Sequence, residues 1–156
     1  MREYLYRGIR VDNGEWVEGF YHYSNRINPI TKELVKTIHW ILPIGGQDAY
    51  DVIPETVSEY IGIDDQYGNK IWENSIIRTQ EYSDRPYSKN RKFKRHIGVV
   101  KYAIRHFKNK YHECDYEAKW IVDIKDTEGY NCYDWSPFFM CEVIGNVFEN
   151  SELLEG

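Results

Sequence analysis

The chain has 156 residues, of which 42% are hydrophobic, 29% charged and 16% aromatic, and its net charge is −5. This balance is typical of a folded globular protein and excludes disordered, collagen-like and coiled-coil classes. No apolar run approaches the roughly 20 residues that span a bilayer, and the segment Met1–Arg7 lacks the apolar core of a signal peptide. We therefore expect a single cytoplasmic unit over residues 1–156.

The first predicted element is a β-hairpin formed by residues 4–11 and 15–23. Both runs are rich in aromatic and β-branched residues, and Asp12-Asn13-Gly14 stands between them. Asn-Gly in this setting is the strongest short-range hairpin signal, because both residues of such a turn take positive φ. The sequence therefore predicts a two-residue turn at Asn13 and Gly14.

This turn fixes the expected register of the hairpin. Tyr6 then faces Tyr21, and Gly8 faces Gly19. Aromatic cross-strand pairs stabilise antiparallel strands, and paired glycines leave room for a close approach. We expect an aromatic ladder on one face of this hairpin.

Short strands separated by turn sequences continue to the end of the chain. They are predicted over residues 35–42, 55–63, 73–81, 97–107, 119–125 and 142–148. This punctuation is typical of a small barrel or sandwich, so the predicted fold class is mostly β. A short helix is the alternative for residues 102–116, where Tyr102, Phe107 and Tyr111 approach helical spacing.

Charge is segregated along the chain. Residues 85–119 hold 11 Lys and Arg against three acidic residues, which makes this window +8 and leaves −13 for the remainder. A solvated loop that maintains solubility is one interpretation, and a phosphate-contacting surface interleaved with aromatic rings is the other. For the second interpretation the candidate nucleic-acid contacts are Arg91, Lys92, Lys94, Arg95, Lys101 and Arg105.

Signatures of common enzyme classes are absent, including the P-loop, the dinucleotide fingerprint and the Gly-x-Ser-x-Gly nucleophile motif. Four zinc-type donors occur, but their spacing does not form paired knuckles. They are His112, Cys114, Cys132 and Cys141. We expect reduced cysteines that behave as small hydrophobes, with no metal, no cofactor and no catalytic residues.

Two polar positions have a structural and a functional interpretation. Asp64-Asp65 precedes Gly68-Asn69, where aspartate caps the backbone of a turn, although a divalent cation is the alternative. His39 lies between Ile38 and Trp40 in a predicted strand, where a hydrogen-bonded structural histidine is expected.

Three segments of the sequence form a wider pattern. They are Arg2–Arg7 (REYLYR), Val52–Asp65 (VIPETVSEYIGIDD) with Gly68–Glu73 (GNKIWE), and Cys141–Leu154 (CEVIGNVFENSELL). Together they resemble the YopX family of bacteriophage and prophage proteins over nearly the whole chain. The resemblance implies a mostly-β architecture with an SH3-like barrel in the central and C-terminal part, and no assigned activity. It divides the chain into an N-terminal β-hairpin region, residues 1–50, and a barrel region, residues 51–156, with a basic loop over 83–96.

The chain departs from the family pattern at two places. Glu73-Asn74-Ser75 stands where the family has Glu-Gly-Asp, and Ser151 stands where the family has proline. Asparagine tolerates a left-handed backbone, so Asn74 is expected to keep the turn. Within the closing segment, Gly145-Asn146 is expected to permit a bend.

These observations predict an uncharacterised phage accessory protein in the cytoplasm of a bacterial host. The favoured function is a protein-interaction or self-assembling module, a homo-oligomer or a partner of another phage or host protein. Its expected contact residues are Tyr6, Tyr21, Trp135 and Phe138. Nucleic-acid binding through residues 85–119 is the alternative, and an unrecognised enzyme is the least supported.

Overall fold

The computed structural model describes residues 4–82, 93–109, 112–124, 138 and 140–155. This part of the chain contains ten β-strands, two short 3-10 turns and no α-helix, so the mostly-β prediction is confirmed. Within the same residues, no helix has the length and apolar character needed to cross a membrane.

The strands follow the predicted order along the chain. They are β1 (Tyr6–Ile9), β2 (Trp16–Ile27), β3 (Leu34–Pro43), β4 (Tyr50–Asp51), β5 (Ser58–Asp64), β6 (Lys70–Trp72), β7 (Ser75–Tyr82), β8 (Phe93–Asn109), β9 (His112–Asp123) and β10 (Glu142–Asn146). The 3-10 turns are Pro54–Thr56 and Ser151–Leu154. The alternative of a helix over residues 102–116 is wrong, because β8 and β9 pair as antiparallel strands there.

The strands form two antiparallel sheets. Their orders are β4-β3-β2-β1-β5-β6 and β10-β7-β8-β9. The chain divides into two compact units, Met1–Gly62 and Ile63–Gly156. No closed barrel is found in the described residues. The SH3-like barrel over residues 51–156 and the boundary at residue 50 therefore stay predictions.

The register of the first hairpin differs from the predicted one. Tyr6 lies opposite Gly19, and Gly8 lies opposite Val17. The N–H of Arg10 donates to the carbonyl of Glu15, and the N–H of Gly14 donates to the carbonyl of Arg10, at 2.9 and 3.1 Å. The loop thus has four residues, with positive φ at Gly14 alone among them. The predicted two-residue turn is wrong, yet a shift of two residues leaves every side chain on its expected face.

The core of the first unit is small and lies on one face of its sheet. Val17, Ile41 and Val52 form it, and four partly buried side chains pack against them. These four are Tyr6, Tyr21, Tyr50 and Val57. Gly8 permits the close approach of Val52 to β1, because a Cβ atom at Gly8 would lie only 3.1 Å from Cβ of Val52.

Both sheets contain a hairpin that is longer than its neighbouring strands. β1 pairs with residues 16–19 of β2, and β4 pairs with residues 40–41 of β3. Residues 22–39 therefore form a two-stranded ribbon, named the first ribbon here, with no third strand beside it in the described part. In the second sheet β7 pairs with β8 only as far as Val99, so the outer parts of β8 and β9 form a second ribbon.

The core of the second unit is built from β-branched side chains of β6 to β9. Their fully buried members are Ile71, Ile76, Ile77, Val100 and Val122, and Cys141, which precedes β10, is fully buried as well. Isoleucine and valine fit the pleated surface of a sheet well, which explains their enrichment here.

Candidate interaction surfaces

Four rings form a continuous strip on the core face of the first sheet. Tyr6 and Tyr21 lie 5.4 Å apart between ring centroids, and Tyr21 stacks on Tyr23 at 6.4 Å. His39 stacks on Tyr21 at 6.0 Å and on Tyr23 at 6.4 Å. We call these four residues the aromatic strip. The expected ladder is therefore present, with Tyr6 and Tyr21 as diagonal rather than direct neighbours.

A hydrogen bond fixes the middle of the aromatic strip. The hydroxyl of Tyr21 lies 2.6 Å from Nδ1 of His39. Burial, with a smaller contribution from the charge of Tyr23, raises the pKa of Tyr21, so this hydroxyl stays protonated and can donate. The prediction of a hydrogen-bonded His39 is confirmed. Its place in the strip was missed, because it depends on the pairing of β2 with β3.

The other two predicted contact residues lie elsewhere in the chain. Phe138 belongs to the second unit and is 9% exposed, which makes it part of that core. Trp135 lies outside the described residues. The structure thus brings together two of the four predicted residues, Tyr6 and Tyr21.

The candidate nucleic-acid contacts fall in or next to β8. Arg91 and Lys92 lie outside the described residues. Lys94, Arg95, Lys101 and Arg105 belong to β8, and Arg95 and Lys101 are exposed.

One acidic residue of β9 forms an ion pair with a cation of this basic stretch. Nζ of Lys101 lies 2.6 Å from a carboxylate oxygen of Asp123. Opposite charges across a strand pair stabilise the pair itself. Part of the charge of the basic window is therefore compensated within its own hairpin.

Asp65 organises the turn between β5 and β6. One carboxylate oxygen accepts from the N–H groups of Tyr67 and Asn69 at 2.8 and 2.9 Å. The other accepts from the side-chain amide of Asn69 and from the N–H of Val143 at 3.1 and 2.9 Å. The predicted role of the Asp64-Asp65 pair in a turn is confirmed at Asp65. The link to Val143 in β10 was not predicted.

The hydrogen bonds of Asp65 decide its ionisation. Burial works to raise the pKa of this carboxyl, but the bonds from Val143, Asn69 and Tyr67 outweigh burial and hold the pKa below its ordinary value. Asp65 is therefore a buried carboxylate, 6% exposed, whose charge is satisfied by four donors. This arrangement is structural, since the donors already occupy both oxygens.

Cys141 lies beside this carboxylate and is fully buried and free. Burial first, and then the charge of Asp65, raises the pKa of the Cys141 thiol to about 11. A thiol of this kind is inert, because the thiolate is the reactive form. The prediction of a buried, reduced cysteine is confirmed at Cys141. No group of metal-binding side chains occurs among the described residues. Cys132 lies outside them.

The two remaining motif positions have conformational roles. Asn74 takes φ of 62°, so asparagine does keep the left-handed turn. Its N–H donates to Val100, and its carbonyl accepts from Val147. In the closing segment the pairing of β10 with β7 shifts between Val143 and Gly145, and a Cβ atom at Gly145 would lie 2.5 Å from Oδ1 of Asn150. The predicted bend is therefore present.

These features define a mostly-β protein whose turn at residues 65–69 and closing segment are joined by hydrogen bonds. The family described as YopX protein matches residues 5–155, and the chain belongs to that family. No curated protein matches the chain. Among solved structures, the crystal structure of protein EF1440 from Enterococcus faecalis is similar, with 16% sequence identity, 99% of each chain covered and a TM-score of 0.43.

Proposed function

We propose that this YopX-family chain is a non-catalytic phage or prophage accessory protein that acts in the bacterial cytoplasm as a self-assembling module. The contact surface is the aromatic strip, and its occupant is the same strip of a second copy. A two-fold pair brings one patch of both subunits together, so the interface would be isologous. Aromatic residues are enriched in the buried centres of such interfaces.

The observation that carries this proposal is that the ring at the outer end of the aromatic strip is both exposed and stacked on its neighbours. Tyr6 and Tyr21 pack on the core, but Tyr23 leaves 64% of its surface exposed while its ring remains stacked on Tyr21 and His39. A ring held by its neighbours loses little freedom when a partner covers it. The exposed end of the strip is therefore pre-organised for contact.

Charge segregation supports the same proposal. The window of residues 85–119 carries +8 and the remainder −13, so oppositely charged parts of two copies attract each other. Salt screens this attraction, since the Debye length is about 8 Å at physiological ionic strength. Assembly should accordingly weaken as salt is raised.

Tyr23→Ser tests the contact surface. We expect the wild-type protein to dimerise, and the variant to dissociate with a constant at least about tenfold larger, because the most exposed ring is removed from the contact surface. Sedimentation equilibrium over roughly 1 to 100 μM measures this constant. Tyr67→Ser is the matched control, because Tyr67 is 68% exposed on the turn between β5 and β6. A monomeric wild-type protein, or equal weakening by both variants, would overturn the proposal.

Nucleic-acid binding through β8 is the second candidate. It is supported by Arg95, which is exposed on β8 where that strand also carries Lys94 and leads to Lys101. In fluorescence anisotropy with single-stranded oligonucleotides, Arg95→Gln should lower the slope of log affinity against log salt by about 0.7. Wild-type protein that binds no strand at low salt would exclude this candidate.

A further inference from the structure

The first ribbon has the dimensions of a groove-binding element. Within residues 22–39 its strand pairs run from Tyr23 opposite His39 to Ile27 opposite Leu34. At about 3.4 Å per residue it extends roughly 20 Å beyond its neighbouring strands. Two-stranded ribbons are marginally stable alone in water, so a free ribbon of this length gains from a partner.

The charge of the first ribbon is the opposite of that of the whole chain. Residues 22–39 contain Arg26, Lys32 and Lys36 against Glu33 alone, a net charge of +2 in a chain of −5. Arg26 lies directly opposite Lys36, and both are exposed. Like charges in this arrangement destabilise a strand pair. No ion pair to either cation is found in the described part of the chain, so a bound anion would relieve their repulsion.

The loop at the tip of the ribbon is held by hydrogen bonds and carries an exposed apolar side chain. Oδ1 of Asn28 accepts from the N–H groups of Ile30 and Thr31 at 2.8 and 3.2 Å. The N–H of Lys32, which takes φ of 62°, donates to the carbonyl of Asn28 at 2.9 Å. Ile30 follows Pro29 at the end of the loop and is 88% exposed. An apolar side chain is thus held at the far end of a basic ribbon.

We propose that the first ribbon is a DNA-binding arm that lies in a groove of duplex DNA. Arg26, Lys36 and Lys32 contact phosphates, while Ile30 contacts the bases. The major groove, about 12 Å wide, admits a two-stranded ribbon. Proteins that use β-ribbons read DNA in this manner, and an apolar side chain in the major groove can contact the methyl group of thymine.

This site is separate from the aromatic strip. Arg26 and Lys36 occupy the face of the ribbon that also carries Ser24 and Ile38, whereas Tyr23 and His39 occupy the opposite face. Assembly through the strip therefore leaves the basic face accessible. The proposal does not depend on the proposed self-assembly, and the two can fail independently.

The test is fluorescence anisotropy with a labelled 20-base-pair duplex at several salt concentrations. Three phosphate contacts give a slope of log affinity against log salt of about −2.7, and the double variant Arg26→Gln/Lys36→Gln should make the slope shallower by about 1.8. Gln47→Glu/Gln66→Glu is the charge-matched control, because both side chains are exposed and lie outside the first ribbon and β8, and it should keep the wild-type slope. Because Arg26, Lys36 and Ile30 are exposed, their substitution should leave folding intact.

Ile30→Ser separates the apolar base contact from the phosphate contacts. We expect about tenfold weaker duplex binding with an unchanged salt slope, because no phosphate contact is lost. Tyr23→Ser, which tests assembly, should leave the slope of log duplex affinity against log salt unchanged. The proposal is overturned if wild-type protein binds no duplex at low salt, or if the double variant retains the wild-type slope. It is also overturned if the ribbon variants weaken self-association instead of duplex binding, since the ribbon would then be a protein contact.

Discussion

Gly19→Ala is expected to destabilise the protein by about 3 kcal/mol, the upper end of the usual cost of overpacking, because the added methyl group meets backbone atoms. A Cβ atom at this position would clash with the carbonyl oxygen of Leu42 and lie 2.8 Å from Cα of Pro43. Both obstacles are backbone, so the paired strands β2 and β3 themselves must separate. Urea unfolding followed by tryptophan fluorescence measures the change.

Ser24→Ala in the same strand serves as the control for Gly19→Ala. Ser24 is exposed, and its truncation should change the free energy of unfolding by less than about 0.5 kcal/mol. A Gly19→Ala protein within about 1 kcal/mol of wild type would contradict the expected clash. Failure of that variant to accumulate in soluble form, with Ser24→Ala soluble, would agree with it.

Asp65→Asn is expected to cost about 2 to 3 kcal/mol at neutral pH. The substitution places an NH2 group where the second carboxylate oxygen now lies. This group cannot accept the hydrogen bonds that the side-chain amide of Asn69 and the N–H of Val143 donate to that oxygen. The partly buried N–H of Val143 then loses a charged partner, which is the more expensive kind of hydrogen bond to remove. Chemical unfolding at pH 7 measures the loss, with Asp48→Asn as an exposed control that makes the same change in charge.

The pH dependence of this effect has a definite sign. Because the folded-state pKa of Asp65 lies below its ordinary value of 3.8, its stabilising contribution is present above that value and is lost as pH falls through the lower folded-state pKa. The difference in stability between wild type and Asp65→Asn should therefore shrink in acid. A difference that stayed constant from pH 7 to strongly acidic solution would show that the charge of Asp65 is not what stabilises the turn.

Local pattern determined what the sequence could predict of the fold. The third strand and the strand after Asn74 were placed well, because alternation and breaking residues such as Pro43 act over a few positions. The length of the first loop was predicted wrongly. Asn13-Gly14 fits both a two-residue and a four-residue loop, and the register in which β1 and β2 pair decides between them. Strand β8 begins four residues earlier than expected for a similar reason, since residues 93–96 pair with the outer half of β7.

The candidate surfaces were predictable in part. Tyr6 and Tyr21 came together despite the wrong register, because a slip of two residues preserves the face of a strand. Compensation of Lys101 by Asp123 could not be foreseen, because it depends on which strand pairs with β8. The opposed cations Arg26 and Lys36 were missed for the same reason.

The placement of β10 has a consequence for the order of folding. Its strand partner β7 is separated from it by about sixty residues of chain, as the bond between Arg78 and Glu142 illustrates with a separation of 64. Hairpins such as β2–β3 close short loops and form early, whereas a contact of this span forms late. During synthesis the β2–β3 hairpin is complete long before β10 leaves the ribosome. Until then the outer edge of β7 is open and Asp65 lacks its bond from Val143, so the nascent second sheet is the stage most exposed to aggregation.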